Sequence, residues 1–394
     1  MFHFGIKEYI RSIRDVIRYT NVFSLKYELL KNETDIVDLL GLTCLQVFEP
    51  TIYTKLPNYK SMLCGMVNSY SYERQKLDED EIQKAVNALI IKNNSTENIE
   101  SSKKIISILF PKTRSVMGNT YSMGREYVHR SFLINNNIAV PECFDRYFSL
   151  SLENKAIPTD TIKKLIYEVD EKEFENEIKR IYQEGKVIRL LEEIEAYANK
   201  GSSVELPSER ASMILKSLTR CWGAFKVEDR GFLSVPFEWR FLFCVDPLLK
   251  LIDTSHRYPA IRYIFEDEEV QISTLALLLN DFETQHGRFK EDATVKDEQI
   301  ITLTEVLELE DIFKRRAIEA LDSKIVLDQN NGLNFWWILD QIDSDLAKSK
   351  KKSIVTDNKS LVKVLSYCTS HGAISGRITS KTWQTNLKIV EEFI

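Results

Sequence analysis

From the first residues, apolar positions recur three and four apart. Ile6, Ile10, Ile13, Val16 and Ile17 predict a helix over residues 6–30 with one buried face. Arg11, Arg14 and Arg18 share a second stripe of it, because residues three and four apart stack on one side. A second helix is predicted over Asp35 to Phe48, stopping near Pro50. A third starts with Asp78-Glu79-Asp80-Glu81 on its first turn and runs through Ile82, Val86, Leu89 and Ile90 before fraying at Asn93-Asn94-Ser95. Ser101 to Phe110 reads as a helix ended by Pro111, and an irregular stretch with Gly118 and Gly124 follows. Pro141 to Leu150 then predicts a short aromatic helix with proline at its first turn.

Beyond Ile157-Pro158-Thr159-Asp160, helical spacing resumes at Ile162, Leu165, Ile166 and Val169 and continues from Ile178 to a stop near Gly201. Further helices are expected at 208–222, 240–252, 270–284, 302–321, 333–346, 359–369 and 379–393, with a capping box at Thr302–Glu305. Lys348 to Ser353 reads as a polar loop, and short strands are possible readings of Phe232–Phe237 and Arg262–Phe265. The expectation is a mainly α chain in two parts, residues 1–155 and 156–394. An α-solenoid is the minor alternative, since no fixed-period repeat is present.

The 394 residues include 13 Gly and 9 Pro, few breakers for that length, which supports the helical reading. A net charge of −6 argues against a chain-wide nucleic-acid footprint and leaves room for a local basic patch. The six cysteines form no CxxC pair and read as buried free thiols. No apolar run approaches the roughly 18 residues of a membrane span, and a cytoplasmic location is expected.

Candidate chemistry is sparse. No Gly-x-x-x-x-Gly-Lys-Ser/Thr string occurs, and the frame Gly118 to Gly124 is followed by Arg125 where the lysine would be needed. The five histidines stand apart, so no metal site is predicted. Gly372-Ala373-Ile374-Ser375-Gly376 places its serine one position late for a nucleophile elbow. Aromatic residues gather around Trp222, Phe237–Phe243 and Phe335–Trp337, near Arg240, Arg257 and Arg262. They read first as core, and second as a surface for bases or a peptide.

One run is more specific. Arg14-Asp15-Val16-Ile17-Arg18-Tyr19-Thr20-Asn21 is followed by Asp35 to Leu39, then Phe48-Glu49-Pro50-Thr51-Ile52-Tyr53, Leu109-Phe110-Pro111 and Phe144-Asp145-Arg146-Tyr147-Phe148. Over roughly residues 6–155 this resembles the helical half of bacterial KAP-family P-loop NTPases. The resemblance implies that Arg14, with Arg18, is a nucleotide-sensing position on a lid helix. It also implies that Asn21, Phe48 and Tyr53 belong to the interface with the nucleotide-binding core. That core would bind ATP and magnesium, and in the family it lies upstream of these residues, so this chain is expected to lack it and to be non-catalytic alone. Implied partners are the P-loop core, or self-association through the N-terminal helices, together with an unknown protein or nucleic-acid trigger.

Without the resemblance, Arg14 and Arg18 read as a solvated helix face tied locally to Asp15. The competing function is a stand-alone helical module that binds protein or nucleic acid; an unrecognised enzyme is a third reading. Apolar side chains exposed over residues 2–30 separate the first two, because a self-contained module covers that surface with its own helices.

Overall fold

Helix dominates because the chain offers leucine, isoleucine, lysine and glutamate in amphipathic spacing and few residues that break it. The computed structural model describes all residues except 4, 67–71, 92–97, 118–127, 153–155, 200–205, 227–235, 290–294, 330, 373–381 and 394. In order, the helices are α1 (Ile13–Leu30), α2 (Ile36–Phe48), α3 (Pro50–Lys55), α4 (Lys60–Leu63), α5 (Tyr72–Val86), α6 (Ile99–Leu109), α7 (Arg114–Met117), α8 (His129–Ile134), α9 (Pro141–Phe144), α10 (Arg146–Ser149) and α11 (Thr159–Tyr167). They continue as α12 (Glu171–Gln183), α13 (Val187–Ala198), α14 (Ser208–Trp222), α15 (Phe237–Leu251), α16 (Thr254–Glu266), α17 (Ile272–Gln285), α18 (Leu303–Asp322), α19 (Trp336–Ile342), α20 (Ser344–Ile354), α21 (Asn358–Tyr367) and α22 (Leu387–Glu391). The strands β1 (Thr369–Gly372) and β2 (Thr382–Thr385) form an antiparallel ribbon with Thr369 opposite Thr385.

Contacts divide the chain into two compact units: Met1–Glu168 with Ile188–Glu205, and Val169–Val187 with Leu206–Ile394. The expected boundary at residue 155 therefore has a counterpart thirteen residues later, after Glu168, and α13 belongs to the first unit although α12 belongs to the second.

In the first unit the core is built on α2, whose Leu39, Leu42, Cys44 and Leu45 are fully buried together with Ile52, Leu56, Leu63, Ile106 and Phe110. Asp35 caps α2 through the amides of Val37 and Asp38. Pro50 does end that helix, and it also opens α3, where a missing amide hydrogen costs nothing at the first turn. α2 and the segment Pro50–Leu63 are apolar enough together to resemble a membrane span, but they meet at 112° and their apolar side chains form this core; no single described helix is long and apolar enough to cross a membrane.

A buried polar network crosses the same unit. Asp38 accepts hydrogen bonds from Asn137 Nδ2 and the Ile138 amide, each at 2.9 Å. Tyr147 donates to the Asn136 carbonyl at 2.7 Å and accepts from the Asp35 amide at 2.8 Å. Arg146, 2% exposed, donates to Asn136 Oδ1 at 3.0 Å and to the Glu33 carbonyl at 3.2 Å. The Glu33 carboxylate takes the amide and the hydroxyl of Thr159. The α1–α2 turn, the 135–140 loop, α10 and the start of α11 are thereby joined. Asn136 sits at φ 55°, a left-handed conformation that asparagine tolerates better than most residues.

The second unit is tied by arginines acting on helix ends. Arg316 of α18 donates to the carbonyls of Phe265, Asp267 and Val270, at and beyond the end of α16. Arg257 does the same for Leu249 and Ile252 at the end of α15. Such donors satisfy carbonyls that have no partner within the helix. Arg220 of α14 meets Glu175 of α12 at 3.2 Å and Asp267 at 2.6 Å, and also pairs with Glu171. Thr302 and Glu305 form the expected capping box.

Several expectations change. Residues 6–30 are not one helix: a 3-10 turn at Ile6–Glu8 precedes α1, which Ser12 caps through the Asp15 amide. Asp78–Glu81 fall in the middle of α5, not on its first turn. Arg262–Phe265 is helical within α16, and Lys348–Ser353 lies in α20, so neither the strand nor the loop is found. The interval 333–346 holds the whole of the short helix α19 and the start of α20, and the part of 379–393 that is described begins with β2. Asn93–Ser95, the Gly118–Gly124 frame and most of Phe232–Phe237 lie outside the described residues, while Phe237 itself begins α15. All six cysteines are buried and unbridged.

Removing the Asp38 carboxylate strands two buried donors. Asp38→Ala is expected to cost about 2–4 kcal/mol in chemical denaturation, and a loss under about 1 kcal/mol would show that the network contributes little to folding.

Candidate functional site

α1 is attached chiefly by its aromatic and long polar side chains, with Leu30 at its end, and not by the aliphatic row at Ile13, Ile17 and Leu25. Tyr19, Lys26 and Leu30 are buried, and Val22 and Phe23 are partly covered. At 100° per residue these fall on one side of the helix. Tyr9, Phe48, Tyr19, Phe23 and Tyr27 stack successively, with ring centroids 5.5, 6.4, 6.4 and 5.8 Å apart. The Tyr19 hydroxyl donates to the Leu40 carbonyl at 2.9 Å, and the Tyr9 hydroxyl meets Ser102 Oγ at 2.8 Å.

Of the residues expected to be buried, Ile6 is buried and Ile10 half-buried, whereas Ile13, Val16 and Ile17 face outward, as do Leu25 and Leu29. Ile13 is 80% exposed, Ile17 53%, Leu25 62% and Leu29 55%, and Val16 is exposed as well. Burying the aromatic column at Tyr19 turns Ile17, Arg14, Asn21 and Leu25 to the far side, where helical spacing sets them side by side, and leaves Arg18 on the flank. The result is a face of mixed apolar and guanidinium character.

The two arginines of the sequence reading separate here. Arg18 donates to the Val47 carbonyl at 3.0 Å and lies 5.8 Å from the centre of the Phe48 ring, so it clips α1 to the last turn of α2. Arg14 and Asn21 are exposed, and neither side chain has a hydrogen-bond or ion-pair partner among the described residues. Asp15 is not bridged to Arg14. It is engaged by Ser12 Oγ at 2.8 Å and the Arg11 amide at 3.2 Å, and the Ser12 bond holds its carboxyl below the usual range.

Phe48 and Tyr53 are partly covered by their own unit, Phe48 within the ring column and Tyr53 against Phe148 at 5.4 Å. Phe148 in turn packs on Phe144 at 4.9 Å. The Phe48–Tyr53 turn rests on the Phe144–Phe148 helices through Tyr53 and Phe148, and Arg146 and Tyr147 between them hold the turn before α2. Lys60 adds an ion pair to Asp145 at 2.5 Å.

Sequence reasoning missed Lys26. Its ammonium is buried, donates to the Tyr53 hydroxyl at 3.1 Å and lies 4.7 Å from that ring, with no carboxylate paired to it among the described residues. Burial pushes its pKa down to about 8. No family model, characterised protein or solved structure matches this chain.

Lys26 makes stability depend on alkaline pH. The unfolded lysine titrates near 10.5 and the folded one near 8, so between those values the unfolded chain holds the extra proton. The cost of burying the charge is then complete below pH 8 and is relieved as pH rises towards 10.5. Lys26→Met is expected to stabilise the protein at pH 7 by on the order of 2 kcal/mol and to gain less at pH 10, as measured by thermal melts. An equal effect at both pH values would contradict the assignment.

Proposed function

We propose that this chain is the helical lid and regulatory portion of a KAP-like bacterial NTPase of the signalling or phage-defence type. In this reading α1 closes on a P-loop core that binds ATP and magnesium. The observation that carries it is the outer face of α1, where Ile13, Ile17 and Leu25 surround the unpartnered Arg14 and Asn21. An aliphatic row of this kind on a soluble helix marks a surface meant for another surface. A guanidinium held among apolar groups is suited to phosphate oxygens once docking excludes water, because it stays charged and pairs bidentately.

The division of labour follows from the packing. Arg18, Phe48 and Tyr53 hold the lid helix to its own unit, which leaves Arg14 as the sensing residue and Ile17, Asn21 and Leu25 as the contact with the core. Closure would bring Arg14 to the nucleotide without rearrangement of the column behind it. The second unit would receive the trigger, a protein or a nucleic acid. No step of hydrolysis is assigned to the chain itself, since its 394 residues contain no phosphate-cradling glycine string. The setting is a bacterial cytoplasm.

The test is co-expression with the polypeptide encoded immediately upstream, which is expected to carry Gly-x-x-x-x-Gly-Lys-Ser/Thr. Arg14→Ala should lower ATP hydrolysis by the assembly about tenfold or more while changing stability by less than about 0.5 kcal/mol. An upstream product without a P-loop, or a rate indifferent to both Arg14→Ala and Ile17→Asp, would favour a free-standing interaction module.

A further inference from the structure

The second unit contains two adjoining cavities of contrasting chemistry. The first, of about 400 Å³, is walled by Trp222, Phe237, Trp239 and Trp337. Trp222 and Phe237 stack at 4.2 Å, which makes a flat and rigid wall, whereas Trp239 and Trp337 are 52% and 42% exposed at the rim. The aromatic cluster expected to be core is thus divided: Trp222, Phe225, Phe237, Phe241, Phe335 and Trp336 are buried, and two tryptophans are left at an opening. The second cavity, of about 350 Å³, is polar and includes Lys226 and Lys363. Asn331, Asn334 and Tyr367 line both.

The shared edge is shaped by backbone constraints. A Cβ on Gly332 would lie 1.9 Å from the Val326 carbonyl oxygen, so only glycine allows the turn that presents Asn331 and Asn334. Asn331 Nδ2 donates to the Phe225 carbonyl at 3.2 Å, which orients that amide. Hydrogen-bonding capacity is left over: the buried Ser273 hydroxyl has no partner, and neither has the Tyr367 hydroxyl among the described residues. Burial raises the Tyr367 pKa to about 12, so it remains a donor. Lys226 and Lys363 form no salt bridge among the described residues, and Asp328, the acid near Lys363, is paired with Lys359 at 2.9 Å. Asp340 and Glu392, the acids nearest Tyr367, are both taken by Lys351. Glu238 lines the aromatic cavity only.

We infer that these joined cavities bind a nucleotide, with its base against Trp337 and Trp239 and its phosphate between Lys226 and Lys363. Base stacking on indole is tolerant of sequence, amide and hydroxyl groups read the edge of the base, and two uncommitted ammonium groups recognise phosphate. Glu238 is placed to accept from an exocyclic amino or ribose hydroxyl group and is kept out of the phosphate half. Among the described residues no arginine lines either cavity; of those nearby in sequence, Arg257 caps α15 and Arg262 pairs with Glu266. A free mononucleotide and the phosphorylated end of a single strand both present one base and one phosphate, and either supplies this ligand. This inference rests on the second unit alone and is independent of the docking role of α1.

The experiment titrates the full chain with AMP, GMP, CMP, UMP, adenosine, and decathymidylate with and without a 5′-phosphate, following tryptophan fluorescence and heat. Saturable quenching by a monophosphate identifies the free nucleotide as the source; binding of the phosphorylated decamer alone identifies a strand end. In either case the Lys226→Ala, Lys363→Ala double variant should weaken the phosphorylated probe by about tenfold or more while leaving its unphosphorylated counterpart unchanged. Trp337→Ala should weaken both by at least about fivefold. Circular dichroism confirms folding of these surface variants. Absence of saturable binding by every probe, or binding indifferent to both variants, overturns the proposal.

Discussion

Everything in the first unit depends on how Arg146 is kept in the interior. A guanidinium that is almost wholly removed from water is costly unless its donors are met, because its desolvation can exceed the attraction to any single acid. Here its Nη1 donates to Asn136 and to the Glu33 carbonyl, with the Glu33 carboxylate 3.6 Å away. Each of these is fixed in turn: Asn136 also donates to the Asn32 carbonyl and to Thr159, and the Glu33 carboxylate is held by Thr159. Tyr147 and Asp38 close the network on the α1–α2 turn and the 135–140 loop. Such a network favours one arrangement over its near neighbours, since losing a member would leave further buried polar groups without partners.

That fixed turn decides how α1 emerges, and the ring column decides how it is rolled. Tyr19 packs inward on Phe48 and Phe23 stacks on Tyr19, so the aliphatic row at Ile13, Ile17 and Leu25 is carried outward. The two sides of α1 thus have different tasks. Its inner side is held by stacking, by the Arg18 clip on Val47 and by Lys26 on Tyr53. Its outer side keeps apolar area and one uncommitted guanidinium available to a partner. The functional proposal draws on this asymmetry.

Much of the fold was legible from periodicity. α14 matches the interval 208–222, α2 was expected from Asp35 to Phe48, and the capping box at Thr302 is present. These are elements with a clear cap and one apolar stripe. α1 was misread because its buried side is made of Tyr, Phe and Lys, which bury large areas yet score as polar or mixed, while its branched residues imitate a core stripe. α16 was overlooked because Pro259 interrupts the pattern within it. Lys348–Ser353 passed for a loop because its lysines mask the helix that Ala347, Lys351 and Ile354 anchor. Arg14, Arg18, Asn21, Phe48 and Tyr53 were named from the family resemblance, but only coordinates separate the exposed Arg14 and Asn21 from the three that hold the helix. The cavities of the second unit join residues from Trp222 to Thr369, a separation that no local pattern reveals.

The central claim is that the outer face of α1 is built to meet a nucleotide-binding core. A photoreactive amino acid placed at Ile17, activated in the source cells and followed by mass spectrometry of the adduct, addresses it directly. The account predicts a cross-link to a polypeptide segment whose chain bears Gly-x-x-x-x-Gly-Lys-Ser/Thr. A cross-link to a second copy of the chain only, or to no protein while the same probe at Leu25 is equally silent, would contradict it.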